Sequence, residues 1–383
     1  MMKIGIVLYP TFGGSGVVAT ELGLALAKKG HKVHFISYNQ PVRMDSFMEN
    51  VFYHEVNIPS YPLFDFNPYE VALTSKLVNV TLHEKLDVLH VHYAIPHASA
   101  AYLAKQILKS HGIHIPIICT LHGTDITLVG RDSSYKPVIT FAINNTDAVT
   151  AVSQSLKNDT LKHFDVTNEI HVIHNFIDNS VYRFQPDECL KKYTSPHGEK
   201  VIMHISNFRK VKRIPDIIRA FAIIRKKIPS KLTMFGDGPE RQPAEDLAKE
   251  LGISEDVQFL GKIKTTEHVL PCADLFMLPS DAESFGLSAL EALACGVPVI
   301  ATNAGGMPEV QIQGRTGFLS DVGDYEDMAK NAIYILEDPQ RHREFKENAK
   351  KQAMEFDINR ILPQYENLYR EMMERVMLAG NLL

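Results

Sequence analysis

The sequence predicts an α/β protein made of two domains, each built on an open, mostly parallel sheet. Three observations carry this. The 383 residues exceed what one hydrophobic core usually holds. Short continuous apolar runs, the mark of strands buried on both faces, alternate with helical patterns in both halves. Strand ends run repeatedly into glycine-rich or small polar loops that feed the next helix, which is where such sheets bind ligands.

Composition narrows the function classes. Hydrophobic residues make up 45% and charged residues 22%, ordinary for a soluble globular chain. A net charge of -5 gives no pull toward nucleic acid, so any anion site must be local. Cys119, Cys189, Cys272 and Cys295 form no C-x-x-C pair and read as reduced thiols rather than a disulfide framework. The first residues read as a strand, not a signal peptide, and no run approaches a membrane span. A cytoplasmic location is expected, with a homo-oligomer compatible with the sequence.

The first domain opens with an apolar strand over residues 4–8 and the loop Gly13-Gly14-Ser15-Gly16. A helical pattern over 17–29 ends at Gly30, a C-cap glycine, and 32–37 form the next strand. Gly14-Ser15-Gly16-Val17-Val18-Ala19 fits G-x-G-x-x-A, but a dinucleotide needs an acidic residue near the second strand's end. That strand ends Ser37-Tyr38-Asn39-Gln40, so NAD is set aside and no cofactor is expected. Residues 41–67 read as irregular. The strand over 86–93 carries His90 and His92, with His97 beyond. These invite a metal reading, yet no carboxylate lies nearby and hydrogen-bonded core histidines are commoner; no metal is expected.

Tyr93 ends that strand, at the ligand side of an open sheet. The strand over 115–121 runs into Thr120-Leu121-His122-Gly123-Thr124-Asp125. That block is a candidate site, with the plainer alternative of a turn in which Asp125 caps the next segment. Arg131 and Lys136 would suit a carboxylate or phosphate, or would simply be solvated. Residues 147–153 read as a strand, followed by Ser153 and Ser155 as helix caps. A short strand over 170–173 leads to His174-Asn175-Phe176-Ile177-Asp178 and a polar connection over 183–200.

In the second half, strands are expected over 201–206, 231–235, 257–260, 273–278 and 297–301. The first runs into Asn207-Phe208-Arg209-Lys210-Val211-Lys212-Arg213, whose clustered cations suit a diphosphate or a solvated loop. The strand over 273–278 stops at Pro279, and the loop Ser280-Asp281-Ala282-Glu283-Ser284-Phe285-Gly286 feeds a helix from Leu287. Free N–H groups at a helix start make a ready anion site, and Gly286 permits close backbone approach. Glu283 and Glu291 are hydroxyl acceptors rather than phosphate ligands. Phosphate between sugar-like ends describes a nucleotide sugar; an ordinary cap with two solvated glutamates is the alternative.

Glu283, seven intervening residues and Glu291, with Phe285-Gly286 between, resemble the E-x7-E motif of the family-4 retaining glycosyltransferases. Companion motifs follow the family's order: the glycine loop, the His122-Gly123 block, Lys212, Gly236-Asp237-Gly238-Pro239, Gly261-Lys262-Ile263, Gly305-Gly306 and Gly317-Phe318-Leu319. Asn207 departs from the pattern, standing where the family carries arginine, and Arg209 is the candidate to supply that charge.

The resemblance implies the GT-B fold, two Rossmann-like domains facing each other across a cleft. Residues 1–175 would bind the acceptor, with a final helix over 359–383 crossing back, and 176–358 the nucleotide sugar. It implies metal-independent, retaining hexosyl transfer. Its catalytic set here is His122, Glu283, Lys212 and Arg209. Donor contacts fall on Gly14, Gly16, Asn207, Gly261, Lys262, Ile263, Ser284, Phe285, Gly286, Leu287 and Glu291, the last on ribose. Resemblance is strongest to members using UDP-N-acetylglucosamine and L-malate, the first step of bacillithiol biosynthesis; Ser15, Tyr93, Thr120 and Arg131 are the implied acceptor contacts. The donor phosphate would take the acceptor proton, with Glu283 as covalent nucleophile the rival route. Other readings are a different acceptor on the same fold, a sugar phosphate or a lipid held by Tyr61, Leu63, Phe64 and Phe66; a nucleotide-sugar epimerase; and a non-enzymatic sensor.

Overall fold

The computed structural model describes every residue except 12, 45–46, 59–67, 129–131, 184–189 and 381–383. The chain divides into two units, Met1–Asn175 with Ile358–Leu383, and Phe176–Asp357.

Among the described residues the first unit holds seven strands: β1 (Lys3–Val7), β2 (Lys32–Ser37), β3 (Val51–Glu55), β4 (Val88–His92), β5 (Ile117–Leu121), β6 (Ala148–Ala151) and β7 (Ile170–Val172). Their order is β3-β2-β1-β4-β5-β6-β7, and every pair is parallel. The apolar runs become strands because helices cover both faces; Ile4, Ile6, Phe35, Leu89, Val91 and Ile118 are fully buried. Strand order reverses between β1 and β4, so the carboxyl ends of these two strands open a crevice.

Two expectations change here. The first helix runs Gly14–Lys28, so Gly14, Ser15 and Gly16 form its opening turn instead of a loop, with Gly13 as N-cap. A Cβ on Gly16 would lie 2.4 Å from the Thr11 carbonyl oxygen and 2.6 Å from that of Tyr9. Close packing under the incoming chain, not helix propensity, therefore sets glycine there. Secondly, β3 lies inside the stretch read as irregular. It is an edge strand with no fully buried residue, and so lacks the apolar run that marks a central strand.

The helix Ile358–Gly380 belongs to the same unit. Its Tyr369 hydroxyl bonds His90 Nδ1 at 2.7 Å, and Glu366 pairs with Lys29 and His31, each at 2.9 Å.

The second unit holds β8 (Lys200–Ile205), β9 (Ser230–Phe235), β10 (Val257–Phe259), β11 (Leu275–Leu278), β12 (Val299–Thr302) and β13 (Gly317–Ser320), in the order β10-β9-β8-β11-β12-β13, again all parallel. Phe208, Ile217, Phe221, Leu232, Met234, Leu275 and Ile300 form the heart of its core. Here the reversal falls between β8 and β11. Cys119, Cys272 and Cys295 are buried; Cys189 lies outside the described residues. No helix among the described residues is long and apolar enough to cross a membrane.

Candidate active site

In the second unit the reversal of strand order brings together two loops that are remote in sequence. Lys212, past the end of β8, places Nζ 2.5 Å from Glu283 Oε1, past the end of β11. The same oxygen accepts a 2.7 Å bond from Ser280 Oγ. Both side chains are largely covered, at 19% and 13% exposure, so the pair is only partly screened by water. Arg213 is committed elsewhere, to Asp216 and Asp281. Arg209 and Asn207 are exposed at the same strand end, and Arg209 makes no ion pair among the described residues.

Glycines shape these loops. Gly286 caps the helix Leu287–Ala294 at φ +94°, with the Met307 sulfur 2.2 Å from where a Cβ would be. Phe285 turns its ring inward against Phe356, so only its backbone borders the loop. Ser284 and Leu287 are half-buried beside it. The Glu283 carbonyl accepts from Gly306 N at 2.8 Å, and a Cβ on Gly305 would lie 1.9 Å from that carbonyl oxygen. At Gly236 a Cβ would meet the Ser206 carbonyl oxygen at 1.8 Å, and Gly236 N donates to the Gly261 carbonyl at 2.7 Å. Gly261 and Ile263 are half-buried and Lys262 exposed.

Glu291 is buried one layer deeper. Its Oε1 accepts from the Tyr182 hydroxyl at 2.9 Å and its Oε2 from Thr266 Oγ1 at 3.1 Å. Tyr182 and Thr266 were not anticipated. They lie 109 and 25 positions from Glu291 in loops without a pattern of their own, so no sequence signal marked them.

In the first unit, the ends of β1, β4 and β5 gather a second group. Ser15 Oγ and the Tyr93 hydroxyl are 2.6 Å apart. Tyr93 holds φ +88°, strained for a non-glycine residue, and its ring packs on Tyr9 and His122 at 5.3 and 5.4 Å. Asp125 ties the two turns together: Oδ2 accepts from Ala94 N at 2.9 Å and Oδ1 from Gly123 N at 3.1 Å. Burial raises its carboxyl to about 6 against those bonds. Asp125 thus joins the Tyr93–Ala94 turn to the His122–Gly123 turn, instead of capping the segment that follows it.

His122 Nε2 lies 2.8 Å from His92 Nδ1 and the two rings stack. Burial lowers His122 to about 3, and the positive charge that His97 would carry adds to this, so His122 is neutral near pH 7. His90 bonds Tyr369 and Thr120, and His97 bonds the His92 carbonyl and Tyr69. The histidines thus form a hydrogen-bonded core.

Thr120 needs correction as a ligand contact. It is fully buried, and its hydroxyl is engaged by His90 and Thr150, each at 2.7 Å. Its carbonyl accepts from Tyr93 N, so Thr120 supports Tyr93 from behind. Gly14 is exposed, Gly16 is buried, and Arg131 lies outside the described residues, as do Tyr61, Leu63, Phe64 and Phe66.

Two glycine replacements separate strain from collision. Gly305→Ala places a methyl group on the Glu283 backbone, whereas a Cβ on Gly261, at φ +74°, meets nothing within 4 Å. Both incur a positive-φ penalty of about 1–2 kcal/mol, and only Gly305→Ala must also move the Glu283 loop. The thermal midpoint is expected to fall clearly further for Gly305→Ala; equal falls would mean that the close approach is relieved without consequence.

Comparison with known proteins identifies the family and the fold. Residues 187–352 match the family "Glycosyl transferases group 1", and residues 12–181 match "Glycosyltransferase Family 4". The chain is 47% identical over 375 residues to N-acetyl-alpha-D-glucosaminyl L-malate synthase of Bacillus anthracis, covering 97% of each. Among solved structures it resembles sucrose-phosphate synthase from Thermosynechococcus elongatus (TM-score 0.80, 20% identity, 98% and 100% of the chains covered). It also resembles Anabaena Alr3699/HepE in complex with UDP and glucose (TM-score 0.79, 22% identity, 96% and 99% covered). The two Rossmann-like units are those of the GT-B fold.

Proposed function

The chain belongs to glycosyltransferase family 4, and from that premise we propose that it moves N-acetylglucosamine from its UDP ester to the hydroxyl of L-malate, retaining the α configuration, as the first step of bacillithiol biosynthesis. The observation that carries the donor and acceptor is the near-full-length kinship with the Bacillus anthracis enzyme.

The geometry supports the following roles. Lys212 and Arg209 neutralise the diphosphate, helped by backbone N–H groups at Phe285, Gly286 and Leu287, where a helix begins. Glu291, already oriented by Tyr182 and Thr266, accepts the ribose hydroxyls. The backbone at Gly261, Lys262 and Ile263 borders the base. Glu283 accepts from the sugar hydroxyls, held by Ser280 and Lys212. In the transfer, the bond from the anomeric carbon to the phosphate oxygen breaks and a bond to the malate oxygen forms on the same face. The malate hydroxyl proton passes to the departing diphosphate oxygen. Negative charge grows on that diphosphate, and fixed cations and oriented amides stabilise it without a divalent ion. Neutral His122, held by His92, meets a sugar hydroxyl without adding charge. Ser15, Tyr93 and Arg131 hold the malate carboxylates, with Thr120 behind Tyr93.

The test follows UDP release from UDP-N-acetylglucosamine with a panel of small hydroxy acids, sugar phosphates and lipid vesicles. L-malate is expected to give the fastest turnover. Arg131→Ala is expected to raise the malate KM by about tenfold or more, the loss of one charge-assisted contact. Turnover with a sugar phosphate or lipid and none with malate would overturn the acceptor, and an unchanged malate KM would remove Arg131 from it.

A further inference from the structure

His34 on β2, His54 on the edge strand β3 and Glu84 at the end of the helix Tyr69–Glu84 lie together on the flank of the first sheet. Each offers one donor atom, and the three atoms lie within 4.8 Å of one another. His34 Nδ1 and His54 Nε2 are 3.0 Å apart, and the rings are nearly parallel at 20°. In a tetrahedral zinc site, bond lengths of about 2.0–2.1 Å put neighbouring donors about 3.3 Å apart. The two imidazoles therefore already stand at nearly the right separation, and Glu84 has to close by at most about 1.5 Å. Glu84 can do so, being the last residue of its helix with a side chain 32% exposed.

His34 is buried, at 1% exposure, so its Nδ1 faces His54 in a place largely closed to bulk water. Lys3 and Lys32 oppose a cation here, and Glu84 favours one.

We propose that His34, His54 and Glu84 bind one borderline divalent cation of the zinc type, with water completing the coordination. Imidazole nitrogen with a single carboxylate selects zinc, nickel or copper over magnesium and calcium. Binding requires the tautomers that free His34 Nδ1 and His54 Nε2, with the ring protons on the opposite nitrogens. The ion would clip the exposed edge strand to the end of the helix, closing the chain between positions 54 and 84. The clip stands apart from the strand ends that carry Ser15, Tyr93 and His122, so it stabilises the unit and takes no part in the transfer.

The probe is Zn2+ added to the tag-free, chelator-treated full chain and followed by calorimetry and thermal unfolding. One zinc per chain and a raised thermal midpoint are expected. Glu84→Gln and His54→Gln, both at partly exposed positions, are expected to weaken binding by about tenfold or more, since even indirect partners of a metal command that much. UDP release is expected to be the same with and without zinc. Cobalt(II) gives a second readout on the unmutated chain, a visible absorption band of the four-coordinate ion. No uptake, equal affinity in the unmutated chain and both variants, or no cobalt band would each overturn the proposal.

Discussion

Lys212→Ala is expected to lower kcat by about 10²–10³, the usual cost of removing one preorganised group from developing negative charge. Its Nζ is the fixed cation nearest Glu283, and the residue that the family pattern would pair with it at 207 is an asparagine. Removal therefore does two things at once. On the proposed assignment the departing diphosphate loses its counter-charge, and Glu283, 13% exposed, is left without its cation where the donor's anion would sit. Lys212→Arg keeps the charge but not the reach and should lose far less. In Lys212→Ala with Glu283→Gln, the stranded carboxylate is gone, so the thermal midpoint should recover toward that of the unmutated chain while turnover stays low. The measurement is initial rate against donor concentration. A kcat for Lys212→Ala within a few-fold of the unmutated chain would sink the assignment.

Acid is expected to unfold the protein well above the carboxylate range. Burial holds His90 and His122 to about 3, His97 and His204 to about 4, and His92 well below its ordinary value. In the unfolded chain each returns to about 6.5. Between those values the unfolded state binds more protons, so stability falls as pH falls. The loss begins near pH 6.5 and continues to about pH 3. Asp125 acts in the opposite sense, since burial raises its carboxyl to about 6 and the fold then gains from acid between its ordinary range and that value. One such group does not offset five buried rings. The thermal midpoint, measured from pH 8 down to pH 4.5, should drop steadily below about pH 6.5. A flat profile between pH 7 and 5 would show that these rings exchange protons with solvent in the native state.

The parts of the site that could be read from sequence are those made by one short stretch. The strand β11, its stop at Pro279, the loop through Glu283 and the helix after Gly286 are contiguous, and each step follows from local patterning. The same holds for Ser153, whose hydroxyl accepts from Leu156 N as the N-cap of its helix. Edge and entry features escaped because their cause lies elsewhere in the chain. The strand Val51–Glu55 exists because β2 offers it hydrogen bonds, and its own residues are too exposed to announce it. Gly16 opens a helix because Tyr9 and Thr11 press on it. Thr120 looked like a strand-end contact, yet Tyr365 and Tyr369 of the C-terminal helix cover the face it shares with His90.

Residue order by itself determined which side chains stand just past the strand ends, because buried parallel strands need apolar runs and the chain must turn where those runs stop. Only the folded arrangement decided which of them meet. Lys212 and Glu283 are 71 positions apart and touch because β8 and β11 lie side by side in the sheet. Tyr182 reaches Glu291 across 109 positions, and His34 reaches His54 from a neighbouring strand. Such contacts depend on strand order and on what packs over each face, and those are properties of the whole core, which no local pattern of residues encodes.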